Sequence, residues 1–508
     1  MKNKPLLPIT VILMVVLFVV SACQKEVKDL PAQDKTAVAV KQQDRCFIVI
    51  AEEGKQLDPI TEKLEQLQAA GYKVKNIIPE LGLIHVQTPD PSFPAKARNI
   101  AGVQSVVIDI STNWEVPVKA VRANLSPGIR NTAAKAIGVP SGDPYGVLQW
   151  DLQSVKAHQA WAKGYFGNGV KVAILDGGFL IREPEIMSQI IDTHNFIPDE
   201  TIEPFAPQGQ REYFSQGTAS AGIITAAHNG KRVVGIAPQA RLILIKVISD
   251  MTHEAPWSSL IDGIFYAVNH GAKVIEMNVA GKLPRKTYTD DNGTPNYPGD
   301  DYVVEYNRDV RDLVIALTRA TIYANLMGAT LVAPAGDNPQ HPYNFDVEKD
   351  FAIYPAAALG VLCIGSNGPN GWGFNQDTSL YVPSSFSNYG RSYIRFGAPG
   401  GNYGPLTDPT AVAEVEGYGN WEYLFNYIYN VGFWVPDTEI YYDSWAYGSA
   451  LATAHAAAVI ALIYGKHPGT NALIVDAILR RSADDYGTPG KDAYFGYGQV
   501  NAGKAVDY

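Results

Sequence analysis

Cysteine is the scarcest residue of this chain: three in 508, at positions 23, 46 and 363. So few cannot staple a protein of this length, and their spacing matches no thiolate metal site, so a disulfide framework and a cysteine-ligated metal are both excluded. Cys46 and Cys363 stand in apolar, strand-like runs, Cys46-Phe-Ile-Val-Ile and Val-Leu-Cys363-Ile-Gly, where cysteine serves as a small core residue. Basic clusters are missing too. Lys and Arg number 41 against 51 Asp and Glu, a net charge of −10, and no positive cluster is present to neutralise phosphates. That excludes a nucleic-acid partner. No internal repeat is evident. What is present is ordinary globular material, 46% hydrophobic and 18% charged, with 46 Gly and 33 Pro to suit a loop-rich α/β protein. The length admits one large domain and one or two small ones.

The N-terminus carries an address. Lys2 and Lys4 precede an almost unbroken apolar stretch, Leu6 to Val20, which is short of the ~20 residues a spanning helix needs. Val20-Ser21-Ala22-Cys23 follows and resembles the lipobox of bacterial lipoproteins: an aliphatic residue, two small ones, then the cysteine that receives lipid. The resemblance implies a signal peptide over 1–23, lipidation of Cys23, and a bacterial envelope protein held to a membrane through its anchor, at the outer membrane or cell surface. Gln24-Lys25-Glu26 is similar to a lipoprotein surface-export signal. Residues 24–44 are polar and aperiodic, the composition of a tether.

Order is expected from Cys46. A strand Cys46–Ala51 leads to Asp58-Pro59, read as N-cap and first helical residue, with Ile60, Leu64 and Leu67 on one face and Gly71 as the stop. Strands Val74–Ile78 and Leu83–Gln87, a helix Pro94–Ile100 and a strand Val103–Ile110 complete a β-α-β-β-α-β order, the ferredoxin-like arrangement. Residues 111–143 lack periodicity and read as a linker. From Pro144 apolar strands alternate with amphipathic helices: Val170–Leu175, Leu242–Val247, Val274–Val279, Thr330–Pro334 and Val361–Gly365, with helices over Leu260–His270 and Val310–Met327. That pattern predicts a mostly parallel sheet in a three-layer αβα domain spanning 144–508. Long insertions interrupt it at 281–301 and, rich in aromatics, at 401–447.

Three segments stand out: Lys171-Val-Ala-Ile-Leu-Asp176-Gly-Gly, Gln216-Gly-Thr-Ala-Ser-Ala-Gly222, and Tyr447-Gly-Ser-Ala450-Leu-Ala-Thr-Ala-His455. Alone they are a strand-end carboxylate and two small-residue helices. In this order, with Val234-Gly-Ile-Ala-Pro238, Val274-Ile-Glu-Met-Asn-Val, Ala333-Pro-Ala-Gly-Asp337, Phe386-Ser-Asn-Tyr-Gly390 and Tyr497-Gly-Tyr-Gly-Gln-Val-Asn501, the chain after Pro144 resembles the subtilisin-like serine peptidases (subtilases). The 45–110 module resembles that family's inhibitory propeptide.

The resemblance implies a Ser-His-Asp triad, and this chain lacks two thirds of it. Asp176 stands at the Asp position, but Gln216 replaces His, Ala450 replaces Ser, and Asp337 replaces the Asn that donates to the oxyanion. A methyl group cannot attack a carbonyl, and an amide is no base near neutrality. Ser449 is offset from the nucleophile position in a gapless match. His228 and His455 are not placed to act as base. These four positions are therefore expected to be non-catalytic, and no cofactor is required. The expected function is a pseudopeptidase that binds peptide or protein ligands by strand addition near Asn278, Val279, Ala280 and Gly281, assisted by the aromatic insertion. Its propeptide-like module is expected to remain attached in the cleft. The alternatives are an endopeptidase with unorthodox residues, serine-type or acid, and a structural envelope protein. Glu185 and Asn229 fall where subtilases bind calcium on surface loops, implying a structural calcium ion.

Overall fold

The run Cys46–Ala51 has no polar face to turn to water, so a strand made from it needs cover on both sides. It finds both. In a computed structural model of the chain, which describes residues 45–67, 71–114, 119–123, 143–204, 212–290, 302–304, 306–404 and 408–508, Arg45–Ala51 lies inside a four-stranded antiparallel sheet. It pairs with Leu83–Thr88 on one side and Val103–Ile108 on the other, and Lys73–Ile78 forms the outer strand beside Leu83–Thr88. Cys23, the lipobox and the 24–44 tether lie outside the described residues, as do 124–142 of the expected linker and 291–301 of the first insertion.

Alternate side chains of the module's sheet serve two cores. Phe47, Val49, Ile84, Val86 and Val106 pack with Ile60, Leu64, Phe93 and Ala97 of the module's own helices, Asp58–Gln66 and Phe93–Ala97. Ile48, Ile50, Leu83 and Val107 point the other way, onto Leu260, Ile261, Ile264, Leu313 and Leu317 of helices Trp257–Asn269 and Arg308–Leu326. A fully buried aliphatic side chain is worth about 1.5–3 kcal/mol, so this face contributes on the order of 10 kcal/mol to docking. Polar contacts fix its orientation. Arg319 donates to the carbonyls of Leu81 (3.1 Å), Gly82 (3.3 Å) and Ala51 (2.9 Å), and Asp109 accepts from Ser258 N (3.0 Å) and Oγ (2.6 Å) in the first turn of helix Trp257–Asn269. The Asp58 expectation needs correction: Leu57 is the helix N-cap and Asp58 lies inside the first turn, where its charge still suits the positive helix end.

The main sheet has eight strands. Its path runs Val382–Pro383, Val361–Gly368, Thr330–Pro334, Val274–Met277, Lys171–Asp176, Arg241–Lys246 and Ile190–Asn195, and Phe396–Pro399 pairs with Val361–Gly368. All these pairings are parallel except that of Val382–Pro383. Ile190–Asn195 was not expected from sequence, because as a half-exposed edge strand it carries Asp192, Thr193 and His194 instead of an apolar run. Helix Ser449–Lys466, buried through Tyr464, passes behind the sheet and packs against helix Gln216–Thr225.

The expected linker is the larger correction. Ser111–Asn113 is a strand paired with Glu254–Pro256, and Lys119–Arg122 is a strand paired with Ile440–Tyr447. The aromatic insertion is a structured element too. Its strands Ile428–Val435 and Ile440–Tyr447 form a hairpin, and Trp445, Tyr429, Phe425, Tyr427, Tyr418 and Phe433 are buried in or beside the main core. Six of its thirteen rings therefore fill the interior, and the expectation that the insertion's aromatics serve as interface anchors is corrected for these six.

Candidate functional site: a degenerate peptidase cleft

The residues singled out from sequence gather at the carboxyl ends of parallel strands, where open α/β sheets place their sites. Asp176 ends the central strand Lys171–Asp176. Its Oδ1 accepts from Gly177 N at 2.5 Å, its Oδ2 receives a long contact, 3.5 Å, from Gln216 Nε2, and the Asn278 side chain also acts on the carboxyl. The same amide nitrogen donates to the carbonyl of Asn278 at 3.3 Å. Ser215 caps the helix that Gln216 opens, its side chain accepting from Thr218 N. Burial pushes the Asp176 carboxyl up to about 7, against the lowering effect of its hydrogen bonds and of Lys246.

Asp337 is reached through Gly336, which holds φ +81°, a left-handed conformation that favours glycine. Its Oδ2 accepts the backbone N–H of Ser449 at 2.8 Å, at the first residue of helix Ser449–Lys466. A carboxyl therefore sits on the positive helix end beside Ala450, where a peptidase of this plan would collect negative charge in its transition state. Burial raises this carboxyl also to about 7. Ala450 is fully buried and presents only a methyl group. His455 is structural: its ring bonds Leu451 O (2.7 Å) and Asp151 Oδ2 (3.0 Å) deep in the core. His228 stacks on Trp161, away from the Asp176 cavity lining.

The sequence pattern of the subtilase family matches residues 167–498. The chain belongs to the subtilase family. Thermitase of Thermoactinomyces vulgaris is 26% identical over 368 residues, 72% of this chain and 99% of that protein. The major intracellular serine protease of Bacillus subtilis (strain 168) is 34% identical over a shorter stretch, 26% of this chain and 40% of that protein. Two solved structures share the fold: the epidermin leader peptide processing serine protease of Staphylococcus aureus (TM-score 0.64, 18% identity, 92% of this chain and 98% of that one) and fervidolysin of Fervidobacterium pennivorans (TM-score 0.60, 19% identity, 92% and 61%).

In this subtilase the cleft edges hold the chain's own residues. Besides the Ser111–Asn113 pairing, Trp114 N donates to His253 O (2.9 Å) and Trp114 O accepts from Ala280 N (3.1 Å). The Trp114 indole is 1% exposed, packs on Trp257 with centroids 4.9 Å apart, and donates to Ala255 O at 2.9 Å. Gly281 allows this approach, since a Cβ there would lie 2.7 Å from the indole. Of the four expected binding residues, Ala280 and Gly281 thus touch the resident segment; the Asn278 carbonyl is taken by Gln216 and the Val279 side chain is buried. The edge Glu254–Pro256 went unread in the sequence because three residues ending in proline leave no periodic signal. Trp114→Ala is expected to weaken docking of the segment by about 3–5 kcal/mol, the cost of truncating a buried aromatic. A lower denaturation midpoint and faster amide exchange over 254–256 and 280 would register it.

Glu276 was also missed as a site residue, although a carboxylate inside the apolar strand Val274–Met277 is itself a signal. It is fully buried, and burial followed by the nearby Asp176 charge raises it well above the ordinary range. Asn229 Nδ2 donates to Glu185 Oε2 at 3.0 Å, so the amide turns its nitrogen to the carboxylate that would bind calcium. Among the described residues no cluster of three or more His, Cys, Asp or Glu is set to hold a metal ion. Glu185 and Asn229 themselves form a hydrogen-bonded pair.

Proposed function

We propose that this subtilase is a pseudopeptidase, a lipid-anchored envelope protein that binds extended peptide or protein segments by strand addition and does not cut them. One observation carries the reading. A segment of this chain already lies along both edges of the cleft, Ser111–Asn113 on Glu254–Pro256 and Lys119–Arg122 on Ile440–Tyr447, the strand that leads into Ser449 and Ala450. Main-chain hydrogen bonds confer affinity in this mode, and none depends on a nucleophile or base. The resident segment is the module's own continuation, so an incoming ligand competes with it. Arg122 reinforces the second edge through an ion pair with Glu212 (2.9 Å) and a stacking contact 4.8 Å above the Tyr442 ring.

The test uses a labelled peptide of sequence 109–122. It is expected to bind the Thr112→Pro/Trp114→Ala variant saturably, at least about tenfold more tightly than the parent chain, because the variant's own strand pairs poorly. The peptide should leave intact by mass spectrometry. Cleavage would sink the pseudopeptidase reading in favour of unorthodox peptidase chemistry. Absence of saturable binding would leave a structural envelope protein.

A further inference from the structure

Gln216 stands where an imidazole would lie against Asp176, and beside it is a cavity of about 140 Å³ lined by Asp176, Tyr213, Gln216, Ser249, Asp250 and Asn278, among others. Its mouth reaches the exposed His253. The lining is rich in acceptors and poor in free donors. Asn278 is fully buried, and its Oδ1 has no hydrogen-bond partner, while its Nδ2 donates to Ser220 Oγ at 2.8 Å and also acts on the Asp176 carboxyl. Asp176 Oδ2 has a 3.5 Å contact from Gln216, beyond normal hydrogen-bond length, and the Asn278 side-chain amide is the other side-chain donor that favours the ionised carboxyl. Among the described residues no Lys, Arg or His lies within ion-pair distance of Asp176. The nearest buried cation, Lys246, is already matched by Glu200 (2.7 Å) and Asp250 (2.6 Å). One cation thus serves three carboxyl groups, and the pocket is left with an acid that has no ion-pair partner of its own and an orphan carbonyl oxygen.

We infer that this cavity is a binding site for a primary ammonium group, the side-chain or N-terminal amine of a bound ligand. An ammonium has three donors and no acceptor, which suits Asp176 Oδ2 and Asn278 Oδ1 and leaves one hydrogen for the mouth. The volume is adequate, since a cavity of about 150 Å³ holds a benzene ring. Pairing would also offset the cost of an ionised carboxylate held out of water. The inference rests on the reading that Gln216 has replaced a working base, and it names a chemical feature of the ligands that reading requires. The groups facing Asp176 are Glu276 and Lys246 on the adjoining strands, with Tyr213, Asp250 and His253 around the opening. Since Asp176 titrates at about 7, the site is charged and at full strength above that pH.

The experiment is a titration of the full chain with methylammonium chloride at about pH 8.5, against sodium chloride at equal ionic strength, followed by NMR of the Gly177 amide and the Gln216 side-chain amide. Saturating shifts are expected with a Kd of about 10–100 mM, since two non-hydrogen atoms supply at most about 3 kcal/mol. The Gly177 shift should disappear in Asp176→Asn and in Gln216→Lys, whose own ammonium fills the site; if the first fails to fold, the second decides. Nα-acetyl-lysine amide and glycine amide then separate a side-chain source from an N-terminal one. Non-saturating shifts, or equal saturation in a folded variant, would overturn the proposal. That outcome is distinct from failure of the functional reading, which would appear as peptide cleavage.

Discussion

Restoring the three lost groups together, Gln216→His, Ala450→Ser and Asp337→Asn, should turn the chain into a peptidase that cuts itself. Nucleophile and base act as a unit, and removing either costs about 10⁶ in turnover, so the parent is expected to show no cleavage and single restorations almost none. The triple variant already has its substrate in place. Ser111–Asn113 and Lys119–Arg122 of the same chain are anchored on Glu254–Pro256 and Ile440–Tyr447, so the substrate is supplied in cis, which removes the entropic cost of a bimolecular encounter. Self-cleavage that separates the two strands, seen as a fragment in intact-mass spectra, should exceed the parent's rate by at least about 10³, the benefit of positioning plus restored chemistry discounted for imperfect alignment. Equal cleavage in parent and triple variant would mean that the existing residues already catalyse. An intact triple variant that folds would mean that Glu276 or the register of the segment blocks the reaction.

Asp337→Asn alone should stabilise the protein at alkaline pH and leave it unchanged at acid pH. The Asp337 carboxyl, raised from 3.8 to about 7, takes up a proton more readily in the folded state than in the unfolded one. Its contribution to stability is therefore complete below about pH 4 and is lost as pH rises through about 7, the sign expected for a raised folded-state value. The physical cause is burial, which outweighs the favourable Ser449 N–H on the helix end. A shift of this size corresponds to at most about 4 kcal/mol, and about 2 kcal/mol is a fair expectation after relaxation around the site. Asparagine keeps an acceptor for Ser449 N and carries no charge. Denaturant midpoints at about pH 5 and pH 8.5 should thus differ less in the variant than in the parent. Midpoints that fall in parallel for both proteins would show that Asp337 is not the group responsible. Asp176 behaves in the same sense, so part of the pH dependence should persist in the variant.

These expectations depend on two kinds of information. The sequence by itself determined the family and the losses within it. Asp176, Gln216, Ala450 and Asp337 were legible because each sits in a collinear motif whose spacing is held by a strand end or a helix start, and such local features do not need a distant partner. The module's β-α-β-β-α-β order was legible for the same reason, since its core periodicities are contained in each element. Tertiary structure decided the rest. Ser111–Asn113 and Lys119–Arg122 are too short and too exposed to carry a periodic signal, and they are strands only because Glu254–Pro256 and Ile440–Tyr447 offer unpaired backbone far along the chain. The aromatic residues of the insertion looked like a binding surface in sequence, whereas folding buried Trp445, Tyr429 and Phe425 in the core. The orphan Asn278 oxygen and the acidic cavity left beside Gln216 exist in no single segment. They arise where three strand ends and a helix start converge, because burial removes the water that would otherwise have satisfied them.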